Sequence, residues 1–158
     1  MAAFTDFAEN KIIDWFFRAQ ALGITGASAG AGSGPTTLYI GLLTATPTDS
    51  TGGTEVSGNA YARVGVTSSM TASGWAGTQG AGTTVASSGT SGTTSNNGII
   101  TFPTPTPSGW GTVTGVGIYD AASAGNLLIY SALTVSKTIN VGDSVTFPAG
   151  SLTFQLDN

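Results

Sequence analysis

The first 22 residues carry apolar side chains at intervals of three and four, which is the period of an α-helix. Ile13 and Phe17 widen the apolar arc beyond the strict period. Asp6 is a suitable N-cap, and Gly23 is a suitable residue to follow the helix. We therefore predict an amphipathic helix within residues 1–23, with enough apolar surface to be covered on two sides. The apolar positions at the helical period are Phe4, Ala8, Ile12, Trp15, Phe16, Ala19 and Leu22.

Residues 24–35 are rich in Gly, Ala and Ser and predict a flexible linker. From Thr36 onward, short apolar or alternating runs indicate strands separated by Gly, Pro and Asn turns. The pattern predicts a mainly β fold, an antiparallel β-sandwich or barrel of about seven to eight strands spanning residues 36–158, with an N-terminal helical arm. The clearest runs lie at 36–45, 60–69, 99–103, 112–121, 126–133, 137–150 and 151–157.

Residues 71–98 interrupt the strand pattern with a dense run of Gly, Ser and Thr. Such a segment offers little apolar surface to bury and loses much conformational entropy on ordering. We therefore predict a long, flexible, exposed loop. Trp75 stands alone in this polar surrounding, and two interpretations remain open: a packing anchor, or an exposed residue that recognises a sugar or a receptor.

The helix leaves three interpretations open. It covers the end of its own β domain, it docks on another subunit with the Gly-rich linker as a hinge, or it is a poorly ordered tail. For the second interpretation, the predicted docking or oligomer-interface residues are Phe4, Ile12, Trp15, Phe16 and Phe17.

The amino-acid composition excludes several kinds of catalytic and binding site. The chain has no His and no Cys, so imidazole bases, imidazole metal ligands, thiolate nucleophiles and disulfides are excluded. Its four Lys and Arg residues are too few and scattered for a nucleic-acid surface. No apolar run is long enough to cross a membrane, and acidic residues near the N-terminus argue against a secretory signal. We expect neither a nucleic-acid nor a membrane partner.

The acidic residues of the β region give no catalytic arrangement. Asp49, Glu55, Asp120 and Asp143 lie in or beside turn segments, where a carboxylate commonly caps the turn or faces solvent. They lack the clustered spacing of a calcium loop. We predict no catalytic residue, no metal and no cofactor, and therefore no enzyme.

Several segments occur in an order that is similar to a known family. The most specific are LYIGLLTATPTD (38–49), YAR (61–63), WGTVTGVGIYDA (110–121) and GNLLIYSAL (125–133). Together they resemble a family of small structural proteins of tailed bacteriophages, often labelled tail-fibre proteins. The resemblance covers most of residues 1–70 and 96–157, and it implies a non-enzymatic virion component.

Two positions on the virion remain open. A long fibre needs repeats or heptads, and the chain has neither, which favours a capsid decoration (cement) protein that bridges subunits of the major capsid protein. The alternative is a tail-fibre or tail-tip protein that contributes to receptor or glycan binding. The low charge predicts burial between copies, most simply in a homotrimer. Either way, we expect the protein on the particle exterior, assembled in the bacterial cytoplasm.

Overall fold

The computed structural model describes residues 4–24, 34–48 and 51–156. Its one helix in these residues, α1, spans Asp6–Phe16. Thr5, not Asp6, is the N-cap, and its side chain accepts a hydrogen bond from the Ala8 N–H. The helix ends earlier than the pattern predicts, because Ala19 takes a left-handed backbone conformation (φ 53°) that turns the chain away from the helix axis.

Nine strands lie in the described part of the chain, and every pairing with a recorded register is antiparallel. The predicted fold class, mainly β and sandwich-like with one N-terminal helix, is confirmed. The strands are β1 (Thr37–Ala45), β2 (Thr54–Glu55), β3 (Val64–Thr67), β4 (Thr93–Ser95), β5 (Ile100–Thr101), β6 (Gly111–Tyr119), β7 (Leu127–Ile139), β8 (Thr146–Phe147) and β9 (Thr153–Gln155).

Five strands form the main sheet, in the order β2-β1-β6-β7, with β3 also paired to β1. The central strands β1 and β6 align Tyr39 with Tyr119 and Gly41 with Gly117. Both are mostly buried, whereas no residue of β7 is fully buried. The other pairs, β4 with β9 and β5 with β8, make two-stranded sheets.

Contacts between residues divide the chain into two compact units. The first, unit 1, contains residues 1–37, 66–100 and 147–158, and the second, unit 2, contains residues 38–65 and 101–146. The helix therefore shares a unit with the Gly/Ser/Thr-rich segment, whereas the sequence analysis separated an arm (1–23) from a β domain (36–158). Most of the predicted linker, residues 25–33, lies outside the described residues.

The segment 71–98 is less exposed than predicted. Residues 74–78 and 94–97 are buried, and Trp75 forms an isolated β-bridge with Asn96. The physical reason is that its polar side chains bond the backbone where ladder bonds are missing. The Asn97 side-chain amide, for example, donates to the carbonyl oxygens of Thr71 and Thr83, both at 3.0 Å.

Candidate functional site

The five predicted docking residues do not share one environment. Phe4 is 59% exposed, while Ile12, Trp15 and Phe16 are half-buried. Phe17 is buried, with its ring centroid 5.0 Å from that of Trp75 and 5.5 Å from that of Phe154. Phe17, one of the five predicted docking residues, is therefore already covered by residues of its own chain.

Trp75 is not an exposed recognition residue in this structure, because none of its surface reaches solvent. Its ring packs against Phe17 and, with centroids 5.8 Å apart, against Phe154. Burial of a large aromatic ring in such a cluster gains both apolar area and favourable ring geometry. Of the two interpretations of Trp75, the packing anchor is the one that agrees with its position.

Arg18, in unit 1, is more buried and makes more hydrogen bonds than its place in the sequence predicts. It is fully buried, and its guanidinium lies 2.6 Å from a carboxylate oxygen of Asp14. It also donates to the carbonyl oxygens of Trp75 (3.1 Å) and Val85 (2.6 Å). The i,i+4 spacing of Asp14 and Arg18 is visible in the sequence, but it suggests only a weak surface pair.

Asp14 extends this network to the other side. Its carboxylate accepts hydrogen bonds from the Ser87 backbone N–H (2.9 Å) and the Ser87 hydroxyl (2.6 Å). One helix turn earlier, Asn10 bonds to Thr78 and donates to the Gly89 carbonyl oxygen. Asn10 and Asp14 of α1, together with Arg18 just after the helix, therefore hold residues 75–89, which have few backbone ladder bonds of their own.

A second charged cluster lies in unit 2, in the YAR segment. The Arg63 guanidinium makes a two-pronged ion pair with Glu55 on β2, with N···O distances of 2.8 and 2.7 Å. Its remaining nitrogen donates to the carbonyl oxygens of Ala121 and Ala124, both at 2.7 Å. Arg63 therefore ties β2 to the turn between β6 and β7, a geometry that Lys cannot reproduce.

Two tyrosines complete the cluster. The Tyr61 hydroxyl donates to Glu55 (2.8 Å) and accepts from the Leu42 N–H (2.8 Å). Arg63 lies 3.4 Å above the centre of the Tyr119 ring. Burial raises the pKa of both hydroxyls, and the nearby Glu55 carboxylate acts in the same direction. The hydrogen bonds that Arg63 donates to Glu55 raise the pKa of Arg63, so its guanidinium stays protonated.

A cavity of about 410 Å³ opens beside this cluster. Its walls are residues 55–58 and 61–63 from one side and residues 122–124 from the turn after β6. The backbone around it is unusual, since Asn59, Ala60 and Ala124 are non-glycine residues with positive φ. Glu55, Tyr61 and Arg63 bond mainly to one another and to nearby backbone. The cluster therefore stabilises the surrounding loops.

The remaining acidic residues of the sequence analysis are scattered. Asp120 accepts two hydrogen bonds from Asn126, which lower its pKa, and Asp143 accepts one from the Asn140 N–H (2.8 Å). Asp49 lies outside the described residues. Across residues 4–24, 34–48 and 51–156, no group of three acidic side chains is placed to hold a metal, and no helix could span a membrane.

The outer strand β7 is an open surface of unit 2. It is the last strand in the sheet order, and each of its 13 residues is half-buried or exposed. Leu128 is 39% and Val135 is 64% exposed. A long apolar edge strand is a ready template for pairing with another chain, and proteins that remain monomeric usually shield such edges. Sequence analysis predicted a strand at 126–133 and another within 137–150, whereas the structure has one strand through residues 127–139, and its place at the edge was not predicted.

Comparisons with known proteins agree with this picture of a structural component. No curated protein matches the chain. A family model does, over residues 3–155, and it is described as podophage GP4 fiber I protein gp80. That match spans nearly the whole chain, so the resemblance to phage tail-fibre-like proteins is confirmed: the chain belongs to the gp80 family of phage fibre proteins and is a structural protein of the virion.

Proposed function

We propose that the protein is a non-enzymatic component of a fibre on the exterior of the phage particle, attached to the tail. The observation that carries the proposal is the match of residues 3–155 to a family described as a fibre protein. The sequence analysis left both positions open and favoured the capsid, because repeats and heptads are missing; the family match is the reason we propose the tail instead. A fibre component can be a short, folded block when the fibre is built by association of blocks.

The hydrogen bonds of the charged groups support a structural role without catalysis. Arg18 and Arg63 each bond to both a carboxylate and backbone carbonyl oxygens, and Glu55 and Asp14 are their ion-pair partners. Groups committed to such networks stabilise loops and are not left to exchange protons with a substrate. The protein therefore acts through its surfaces, by binding neighbouring virion proteins after folding in the host cytoplasm.

Copy number on purified particles tests the position. Quantitative mass spectrometry should give the ratio of this protein to the major capsid protein, whose copy number serves as the internal standard. A tail fibre predicts a small number that matches tail symmetry, about three, six or twelve copies. Hundreds of copies would contradict the proposal and would identify a capsid decoration protein that bridges capsid subunits.

Electron microscopy with an antibody against the protein gives the second readout. Label at the tail is expected, and label distributed over the head would contradict the proposal. Antibody against the major capsid protein provides the control, since it should label heads in the same preparation.

A further inference from the structure

We propose that the cavity beside the Glu55–Arg63 cluster binds a neutral, polyhydroxylated ligand, the chemistry of an uncharged sugar residue. The cavity lies wholly within unit 2. Its volume of about 410 Å³ falls within the size of small-molecule sites, about 300–1,000 Å³. The proposal concerns binding without catalysis, and it applies to a protein on the tail and to one on the head.

The chain leaves the cavity open because both of its walls are made of small side chains. One wall contains Ser57, Gly58 and Ala62, and the other contains residues 122–124, whose sequence is Ala-Ser-Ala. All of these residues are exposed, whereas Val56 of the lining is buried. The walls therefore offer methyl groups to the carbon atoms of a ligand and leave the space for it unfilled.

Both walls are held in place by hydrogen bonds. Asn59 and Ala60, in the chain segment of the first wall, have φ of 50° and 62°, and Ala124 in the second wall has φ of 52°. The Asn59 side chain donates to the Gly109 carbonyl oxygen (3.1 Å), and Arg63 donates to that of Ala124 (2.7 Å). Strained backbone of this kind is concentrated at ligand sites, and a preformed site loses little conformational entropy on binding.

The polar groups that remain open in the lining suit the hydroxyl groups of a ligand. Oε1 of Glu55 accepts from Tyr61 and Arg63, whereas Oε2 accepts, among the described residues, from Arg63 alone (2.7 Å) and keeps room for a second donor. The hydroxyls of Ser57 and Ser123 make no hydrogen bond with the described residues. A ligand hydroxyl can donate to the carboxylate, and each serine can donate to or accept from another.

The charge of the lining disfavours ionic ligands. Its two charged residues, Glu55 and Arg63, pair with each other at 2.7 Å. Arg63 already donates four of its five N–H groups, and its side chain is 8% exposed, so little of the cation is open to an anion. An apolar ligand, in turn, would displace water from the Glu55 carboxylate without replacing the hydrogen bond. A neutral ligand with several hydroxyls avoids both costs.

NMR titration of the ¹⁵N-labelled full chain tests the site. The neutral probes are the methyl glycosides of glucose, galactose and N-acetylglucosamine, and the charged controls are glucuronic acid and glucosamine. Probe concentrations up to about 50 mM detect dissociation constants in the millimolar range. We expect saturable shifts with at least one neutral probe, in the backbone amides of residues 57–63 and 122–124. No saturable shift with any neutral probe would overturn the proposal, and so would tighter binding of either charged sugar.

Variants that fill the cavity distinguish this site from nonspecific contact. Ser57→Phe and Ser123→Phe should each raise the dissociation constant at least about tenfold, because the ring occupies the space of the ligand. Ser136→Phe is the matched control, since Ser136 is also an exposed serine of unit 2 but does not line the cavity. Its dissociation constant should stay within about twofold of the wild-type value.

A double alanine variant keeps the test decisive where the phenylalanine variants fail to fold by circular dichroism. Replacing Ser57 and Ser123 together with Ala removes two hydroxyls without adding bulk, and it should raise the dissociation constant about threefold to tenfold. Unchanged affinity in the folded variants would mean that the sugar binds elsewhere, and it would refute the assignment of the cavity.

Discussion

Individual residues in this protein do more than their position in the sequence suggests. Asp14 and Arg18 have the spacing of a weak surface pair, yet both are buried and hold the segment 75–89. Trp75, alone in a polar sequence, is enclosed by Phe17 and Phe154, which lie 58 and 79 residues away in the chain. Local periodicity cannot reveal such partners, because it reports only what neighbours along the chain do.

Tyr61 provides a prediction at this scale, through the pH dependence of stability. Burial raises its pKa and that of Tyr119 in the folded state, whereas an unfolded tyrosine titrates near about pH 10. Above that pH the unfolded chain releases protons that the folded chain retains. The free energy of unfolding should therefore be independent of these groups below about pH 10 and fall as pH rises further.

Urea unfolding between pH 8 and 11.5 measures this dependence, within the approximate range set by ordinary tyrosine titration. Tyr61→Phe should lower stability at pH 8, since it removes two hydrogen bonds, and should reduce the fall above pH 10. Absorbance at 295 nm gives the control: because the pKa values of Tyr61 and Tyr119 are raised by folding, the unfolded chain should show more ionised tyrosine than the folded chain at the same alkaline pH. The same slope for wild type and Tyr61→Phe would refute the assignment.

At the scale of elements, the sequence pattern predicted most of the long strands, but it did not predict how the strands are ordered in the sheets. Alternating and apolar runs predicted β1, β6 and the first part of β7, because those runs are long and bounded by turn residues. The short strands β2 and β4, of two and three residues, lie outside every predicted run, because they have too few positions to show a period. Sheet order also escaped the pattern, since the open edge of β7 depends on which strands lack a neighbour.

The glycines of β1 and β6 illustrate how elements constrain one another. Gly41 lies opposite Gly117, beneath the Glu55–Arg63 cluster. A Cβ at Gly41 would lie 2.8 Å from a carboxylate oxygen of Glu55 and 2.8 Å from the Tyr119 ring. We therefore expect Gly41→Ala to lower the free energy of unfolding by about 1–3 kcal/mol, because the close-packed site leaves no room for a methyl group.

Gly52→Ala is the matched control for this substitution, since a Cβ there meets no atom within 4 Å. Its effect should stay within about 0.5 kcal/mol. Both variants should be compared by urea unfolding at pH 7 with the slope m checked for a change in cooperativity. Equal stabilities of Gly41→Ala and Gly52→Ala would contradict this prediction, because the cluster would then accept a methyl group at Gly41 with no loss of stability.

At the scale of the whole molecule, two compact units each contain their own ion-pair network. Asp14 and Arg18 belong to unit 1, and Glu55 and Arg63 belong to unit 2. The chain holds only four Lys and Arg residues, and two of them, Arg18 and Arg63, form these ion pairs. The low charge predicted a surface covered by other copies; what the structure adds is that two of the few charged pairs hold polar loops in place.

This division predicts that stability is lost unit by unit. Arg18→Ala leaves the buried Asp14 carboxylate without its cation, a change that typically costs about 3–5 kcal/mol. Hydrogen exchange measured by mass spectrometry should then rise in residues 66–100, whose loops depend on that network, and change little in residues 101–146. Gly41→Ala should give the reverse distribution, and Lys137→Ala, at an exposed cation, should alter neither. An equal rise in both units for Arg18→Ala would mean that the chain unfolds as one cooperative body, with the two networks stabilising a common core.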